Sequence, residues 1–157
     1  NRNVDYWLSY SYLDTQRDYQ NFSEQAQPTF ANKHNGSIVG KYFISDWKSQ
    51  VGLSYGFASG RSYTNPNKQG FLNQRTKSYN SLSLNWAYLI DQQKILYFSF
   101  NNALGTRNIH GYQYADTPDV NNNFAGRALR PAADKFFFIG FFWTISDDGK
   151  DNQLKNL

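Results

Sequence analysis

Large apolar residues recur at every second position in six separate stretches of this chain. A period of two is the signature of a β-strand, with the two parity classes of residues on opposite faces. The last stretch, Lys135-Phe-Phe-Phe-Ile-Gly-Phe-Phe-Trp-Thr-Ile145, is the most apolar. Phe137, Ile139, Phe141, Trp143 and Ile145 fall on one face, and Phe136, Phe138, Gly140, Phe142 and Thr144 on the other. The first face is too apolar to be left in water and demands either a packed core or lipid.

Five earlier strands follow the same rule. The first is expected from Val4 to Asp14, with Tyr6, Leu8, Tyr10 and Tyr12 on one face and Asp5, Trp7, Ser9 and Ser11 on the other. The second, Asn35 to Ser45, carries Ile38, Tyr42 and Ile44 against Val39 and Phe43. The third, Gln50 to Ala58, sets Val51, Leu53, Tyr55 and Phe57 against Gly52, Ser54, Gly56 and Ala58. The fourth sets Leu82, Leu84, Trp86, Tyr88 and Ile90 against Ser81, Ser83, Asn85 and Ala87. The fifth sets Leu96, Phe98 and Phe100 against Tyr97, Ser99 and Asn101. No helical periodicity competes. The pattern predicts an all-β, antiparallel up-and-down meander of about six strands.

The connections alternate in length. The short ones are Asp46-Trp47-Lys48-Ser49 and Asp91-Gln92-Gln93-Lys94. The long ones run from about Gln16 to Lys33, Ser59 to Lys77 and Gly105 to Asp134, and all three are expected to be polar loops. Outer-membrane barrels have short periplasmic turns and long extracellular loops. That rule sends the first strand up and the sixth down, and leaves the C-terminus in the periplasm. Tyr6, Trp7, Trp47, Tyr88 and Trp143 then map to the periplasmic interface, where Trp and Tyr form girdles.

Composition agrees with that reading. Aromatic residues make up 18% of the 157 residues, yet mean hydropathy is −0.73. Alternating strands joined by polar loops average to such a value, which hides membrane barrels from hydropathy plots. There is no run of about 20 apolar residues for a helical span. The formal charge of +4 is spread over Arg17, Lys48, Lys68, Arg75, Lys77, Lys94 and Arg107 without a basic block, so no nucleic-acid partner is expected. The sequence has no cysteine.

Several residue sets resemble the C-terminal part of the barrel of TonB-dependent outer-membrane receptors of the Bacteroidota type. They are Phe57-Ala-Ser-Gly-Arg-Ser-Tyr-Thr-Asn-Pro-Asn67, Tyr79-Asn-Ser-Leu-Ser-Leu-Asn-Trp-Ala-Tyr88, Asn101-Asn-Ala-Leu-Gly-Thr-Arg-Asn108 with Gly111-Tyr112, Arg130-Pro131 and the final Phe/Gly/Trp strand. The resemblance implies a barrel of about 22 strands with a plugged lumen that imports a scarce nutrient, whether siderophore, vitamin, glycan or peptide. It implies as partners outer-membrane lipid, the rest of the barrel and its plug, the TonB complex through an N-terminal part, and the barrel-assembly machinery. Residues 1–146 would be barrel wall and 147–157 a polar periplasmic tail. Phe137, Ile139, Phe141, Trp143 and Ile145 would form a lipid-facing terminal strand and assembly signal. Six strands alone would leave two open edges in lipid, so the expectation is a fragment of a larger barrel.

Candidate chemistry is sparse. His34 and His110 are far apart and lack metal-ligand spacing. Asp116 and Asp119 lack the spacing of an EF-hand, and Gly52, Gly56 and Gly60 sit on strand pattern rather than in a phosphate loop. Asn21-Phe-Ser23 and Asn35-Gly-Ser37 match a glycosylation sequon. No catalytic triad or activated nucleophile is visible, and a non-enzyme without a cofactor is expected. Two other readings stay open: a small outer-membrane barrel with an adhesive or structural role, and a secreted β-sandwich that binds carbohydrate through Tyr and Trp.

Overall fold

The computed structural model describes residues 4–22 and 24–145. Six strands make one antiparallel sheet, in which they stand in the order of the sequence. They are β1 (Val4–Tyr12), β2 (His34–Ile44), β3 (Ser49–Ala58), β6 (Tyr79–Leu89), β7 (Lys94–Asn101) and β10 (Phe136–Trp143). All six are the strands that the alternation predicts, and they are neighbours in sequence order. Four of them have 9–11 residues, the length of a tilted membrane strand at about 9–11 residues, and β7 and β10 with 8 fall one short of it.

Differences lie at the ends and in the loops. β1 stops at Tyr12 rather than Asp14, and Ile90 and Ile145 lie past the ends of β6 and β10. Ile145 therefore extends the chain beyond the terminal strand instead of belonging to it. The short connection after β2 is a 3-10 turn, Ser45–Trp47, closed by Lys48 in the left-handed region with φ 45°. The long loops are more ordered than their polar composition suggests. The second holds the hairpin β4 (Ser62–Tyr63) and β5 (Gln74–Arg75), and the third holds β8 (Gly111–Tyr114) and β9 (Gly126–Leu129). Strand pairs this short leave no period-two trace in sequence. The segment 147–157 lies outside the described residues.

Register makes six local patterns into one surface. The row starting at Val4 runs through Tyr42, Val51, Trp86 and Phe98 to Ile139. The next row runs from Tyr6 through Gly40, Leu53, Leu84 and Phe100 to Phe137. Every predicted apolar parity class lands on this same face. The opposite face carries Ser9, Ser37, Ser54, Ser83, Asn85 and Ser99, with Gly52 and Gly56. A one-residue slip in any pair would put Leu or Phe among these serines, so the hydrophobic pattern itself fixes the register.

The rows also measure stagger. β10 continues four residues past Ile139 to Trp143, although Ile139 shares a row with the first residue of β1. Towards the other end of the sheet Phe137 shares a row with Tyr6, and β1 goes on to Tyr12. The sheet edge thus climbs by about four to five residues over five strand pairs. With about 3.3 Å per residue and about 4.8 Å between strands, this is a tilt of about 30–35°. Membrane barrels tilt their strands by about 35–45°.

No second sheet covers the apolar face among the described residues. Tyr6 is 80% exposed, Leu8 71% and Ile139 61%. Five strand spacings by strands of this length make a patch on the order of 600–900 Å². The largest patch on a soluble monomer is about 300–600 Å². What core there is sits on the polar face near the short turns, where Ala87, Leu89 and Ile95 are buried with Phe43 and Tyr97 against them. A sandwich puts its core between two sheets, whereas here the apolar rows of the sheet lie on the face opposite this small core.

Candidate functional site

The short-turn end collects the aromatic side chains singled out from sequence. Tyr6 and Tyr88 lie on the apolar face, Trp47 is 68% exposed in the 3-10 turn, and Trp143 ends β10. Trp143 packs under the Lys94 ammonium, whose Nζ is 5.6 Å from the ring centroid. Trp7 stands at the same end but on the polar face, with Lys41 Nζ at 6.0 Å. Tyr42 and Trp86 also lie on the apolar face in the row of Val4, and Trp86 stacks on Tyr88 at 6.0 Å. They were legible as strand aromatics, but their level on the sheet follows only from register.

The packing around Gly140 accommodates two of the three Phe on the second face of β10, Phe138 and Phe142. Gly140 pairs with Tyr97, and the Tyr97 ring lies 6.4 Å from Phe138 and 6.3 Å from Phe142. A Cβ on Gly140 would meet the Phe138 ring at 2.8 Å and the Phe142 ring at 3.1 Å. The glycine leaves the gap into which its neighbours' rings lean and over which the tyrosine lies. The aromatic cluster thereby continues the small core around Leu89 and Ile95.

At the opposite end the three long connections form one assembly. Loop one (13–33) meets loop two (59–78) through the stacked pair Phe22–Phe71, 4.0 Å between centroids, and through Arg61 Nε donating to Asn32 Oδ1 at 2.9 Å. Arg75 Nη2 donates to Gln27 Oε1. Loop two meets loop three (102–135) through stacked Tyr63 and Tyr112, 4.6 Å apart. Asn67 ties the same loops twice, accepting from the Phe124 amide at 2.7 Å and donating to its carbonyl at 2.9 Å. Asn108 does the same for the Asn80 backbone at the top of β6.

Asparagine is the main fastener here for a physical reason. Its amide offers a donor pair and an acceptor, matching a backbone N–H and C=O at once. Asn73 Nδ2 reaches the carbonyls of Asn65, Lys68 and Gly70 while its Oδ1 accepts from the Asn65 amide at 2.8 Å. The polar run that reads as open loop in sequence is therefore hydrogen-bonded to itself. Burial, with Tyr114 and Tyr112 beside it, pushes the Tyr63 phenol above its ordinary range. Asp14, at the top of β1, is held below the usual carboxylate range by hydrogen bonds from Lys33 and then Tyr12.

Where the loops converge on the polar face there is a cavity of about 310 Å³. Its wall includes Asn32, Arg61, Thr76, Lys77, Tyr79 and His110. Gly60 lets two chain segments approach here, since a Cβ would collide with the Thr76 carbonyl. Arg61 and Thr76 then pair, the Thr76 amide donating to Arg61 O at 2.9 Å and the Arg61 amide to Thr76 Oγ1 at 2.9 Å.

Two other polar candidates, His34 and Asp119, are occupied locally. His34 Nδ1 is 2.8 Å from the Tyr10 hydroxyl. Asp119 Oδ1 accepts from the amides of Asn121 and Asn123, both at 2.9 Å, which makes it the nucleus of a turn. No group of three His, Asp or Glu side chains among the described residues is arranged to hold a metal ion.

No family model matches the chain, and no curated protein matches it in sequence. Among solved structures it is similar to the ferric-catecholate import receptor Fiu from E. coli K12 in its closed form, with a TM-score of 0.57 at 10% identity. The match covers 90% of this chain and 19% of that one. The chain thus spans about one fifth of that receptor's length, and identity this low carries fold alone.

Proposed function

We propose that this chain is a wall segment of a TonB-dependent outer-membrane transporter of the Bacteroidota type, which imports a scarce nutrient. The observation that carries the reading is the single continuous apolar face, staggered at barrel tilt, with all three long loops at one end. In lipid that face loses nothing by exposure, whereas in water it would drive aggregation. The polar face lines the lumen, where Ser, Asn and Gly leave room for a plug. Tyr6, Trp47, Tyr88 and Trp143 sit at the periplasmic interface, and Trp7 anchors the same level from inside. The outer edges of β1 and β10 pair with further strands of the same barrel. The barrel-assembly machinery reads β10, whose outward residues are Phe137, Ile139, Phe141 and Trp143, and the C-terminus lies in the periplasm. Transport itself belongs to the whole receptor, with its plug and its TonB contact.

Orientation gives the test. This sequence has no cysteine, so single cysteines in it report cleanly once any elsewhere in the full-length protein are replaced. Asn122→Cys, in the third long loop, is expected to react with a membrane-impermeant maleimide on intact cells. Gln92→Cys, in a short turn, is expected to react only after the outer membrane is permeabilised. Equal labelling of both on intact cells, or recovery of the protein in a soluble fraction, would overturn the reading.

A further inference from the structure

The cavity under the loops differs in charge from the rest of the polar face. Two of its wall residues, Arg61 and Lys77, are cationic, the His110 imidazole stands with them, and no carboxylate lines it. The ion pairs among the described residues are Lys33–Asp14, Lys94–Asp91 and Arg107–Asp134, none of which draws on these three. An unneutralised cationic concavity has a field that a counter-charged group would fill.

Arg61 is also held in place. Its Nε donates to Asn32 Oδ1 at 2.9 Å, and Asn32, itself 9% exposed, is fixed by donating from Nδ2 to the Ser59 carbonyl. Its backbone is clamped to Thr76 from both directions. A guanidinium secured through one nitrogen keeps its terminal pair for bidentate contact with a planar or tetrahedral oxyanion. Lys77 adds a point charge, and the amides of Asn32 and Asn35 add neutral polar groups. The His110 and Tyr79 rings lie 6.1 Å apart and tilted 30° from one another, which gives the remainder of a ligand an aromatic wall. The cavity is at the lower end of the size range for small-molecule sites, about 300–1,000 Å³.

We infer that this cavity binds an anionic ligand group, a carboxylate or a phosphate, gripped by Arg61 and Lys77 with the ligand body against Tyr79 and His110. The inference rests on the transporter reading, since it places the site at the extracellular mouth of the lumen. There it would select, from what reaches the loops, solutes that carry negative charge. The loops contribute jointly: Asn32 comes from the first, Arg61 and Lys77 from the second, His110 from the third.

The test is calorimetric titration of the full-length protein in detergent micelles with citrate, inorganic phosphate and, as a neutral control, maltose. Binding of citrate, of phosphate or of both is expected, weakening as salt rises, and the pattern tells which oxyanion the site takes. Lys77→Gln, at an exposed side chain, is expected to weaken binding by about tenfold, and Arg61→Gln by about ten- to a hundredfold. Lys94→Gln, at the opposite end, is expected to leave it unchanged. The inference is overturned if neither anion binds, if maltose binds as well as they do, or if Lys77→Gln and Arg61→Gln bind like the parent. Failure here would leave the cysteine-labelling result standing, whereas failure there would remove the membrane setting with or without anion binding.

Discussion

Glycine marks two kinds of close approach in this chain, and they predict different costs. At Gly60 the atom in the way is the Thr76 backbone carbonyl, which cannot move without breaking the Arg61–Thr76 pairing. At Gly140 the atoms are the far edges of the Phe138 and Phe142 rings, which can rotate away. Gly60→Ala is expected to cost about 1–3 kcal/mol, as overpacking does, seen as faster hydrogen exchange at the Thr76 amide. Gly140→Ala is expected to cost under about 1 kcal/mol, because lost ring contact is offset by the reduced entropy of the unfolded chain. Equal effects at the two sites would contradict the distinction. Neither role can be read from sequence: Gly52, Gly56 and Gly60 recur every four residues, yet only at the third would a Cβ meet a backbone carbonyl, from the far side of the same loop.

At the scale of the element, β10 tests the proposal that the apolar face meets lipid. The middle of β10 is Ile139, while Phe141 lies two residues from its short-turn end. A charge on the lipid face costs about 2–4 kcal/mol at the midplane and falls towards about 0–1 kcal/mol at the interfaces. Ile139→Lys should therefore cost the most, Phe141→Lys less and Trp143→Lys least, as shifts of the urea midpoint for the full-length protein folded into phospholipid vesicles. Ser99→Lys, on the polar face opposite Phe138, should cost less than Ile139→Lys. An order set by side-chain size, with Trp143 the most costly, would point to a packed soluble core in place of a bilayer. Strand existence and facing were legible because alternation is a local property, repeated over four to five pleats in each strand. Strand ends were less so: nothing in Leu13-Asp14 or Ile90 records where a partner strand stops.

At the scale of the molecule, the loops hold together through a few side chains far apart in sequence. Asn67 and Phe124 are 57 residues apart and joined by two hydrogen bonds, and the Tyr63–Tyr112 stack joins the hairpins of loops two and three. Asn67→Ala is expected to free loop three, exposing 115–125 to limited proteolysis on intact cells while the six-stranded sheet keeps its protection. Cleavage no faster than in the parent would mean that the hairpin β8–β9 holds the loop by itself. A loop cluster secured in this way keeps the basic cavity shaped before any ligand arrives, which lowers the ordering cost of binding.

Alternation and composition along the chain are enough to set the strands, their two faces, the order of long and short connections and hence a meander with an apolar side. These follow from steric alternation and from the intolerance of large apolar groups for water, and both act within a few residues. Tertiary structure decided what depends on partners brought from afar. Register merged six apolar stripes into one face, stagger gave that face the tilt of a barrel, and asparagine side chains turned polar loops into ordered hairpins. Arg61, Lys77 and His110, scattered basic residues in the sequence, became one cavity because the loops that carry them end on neighbouring strands.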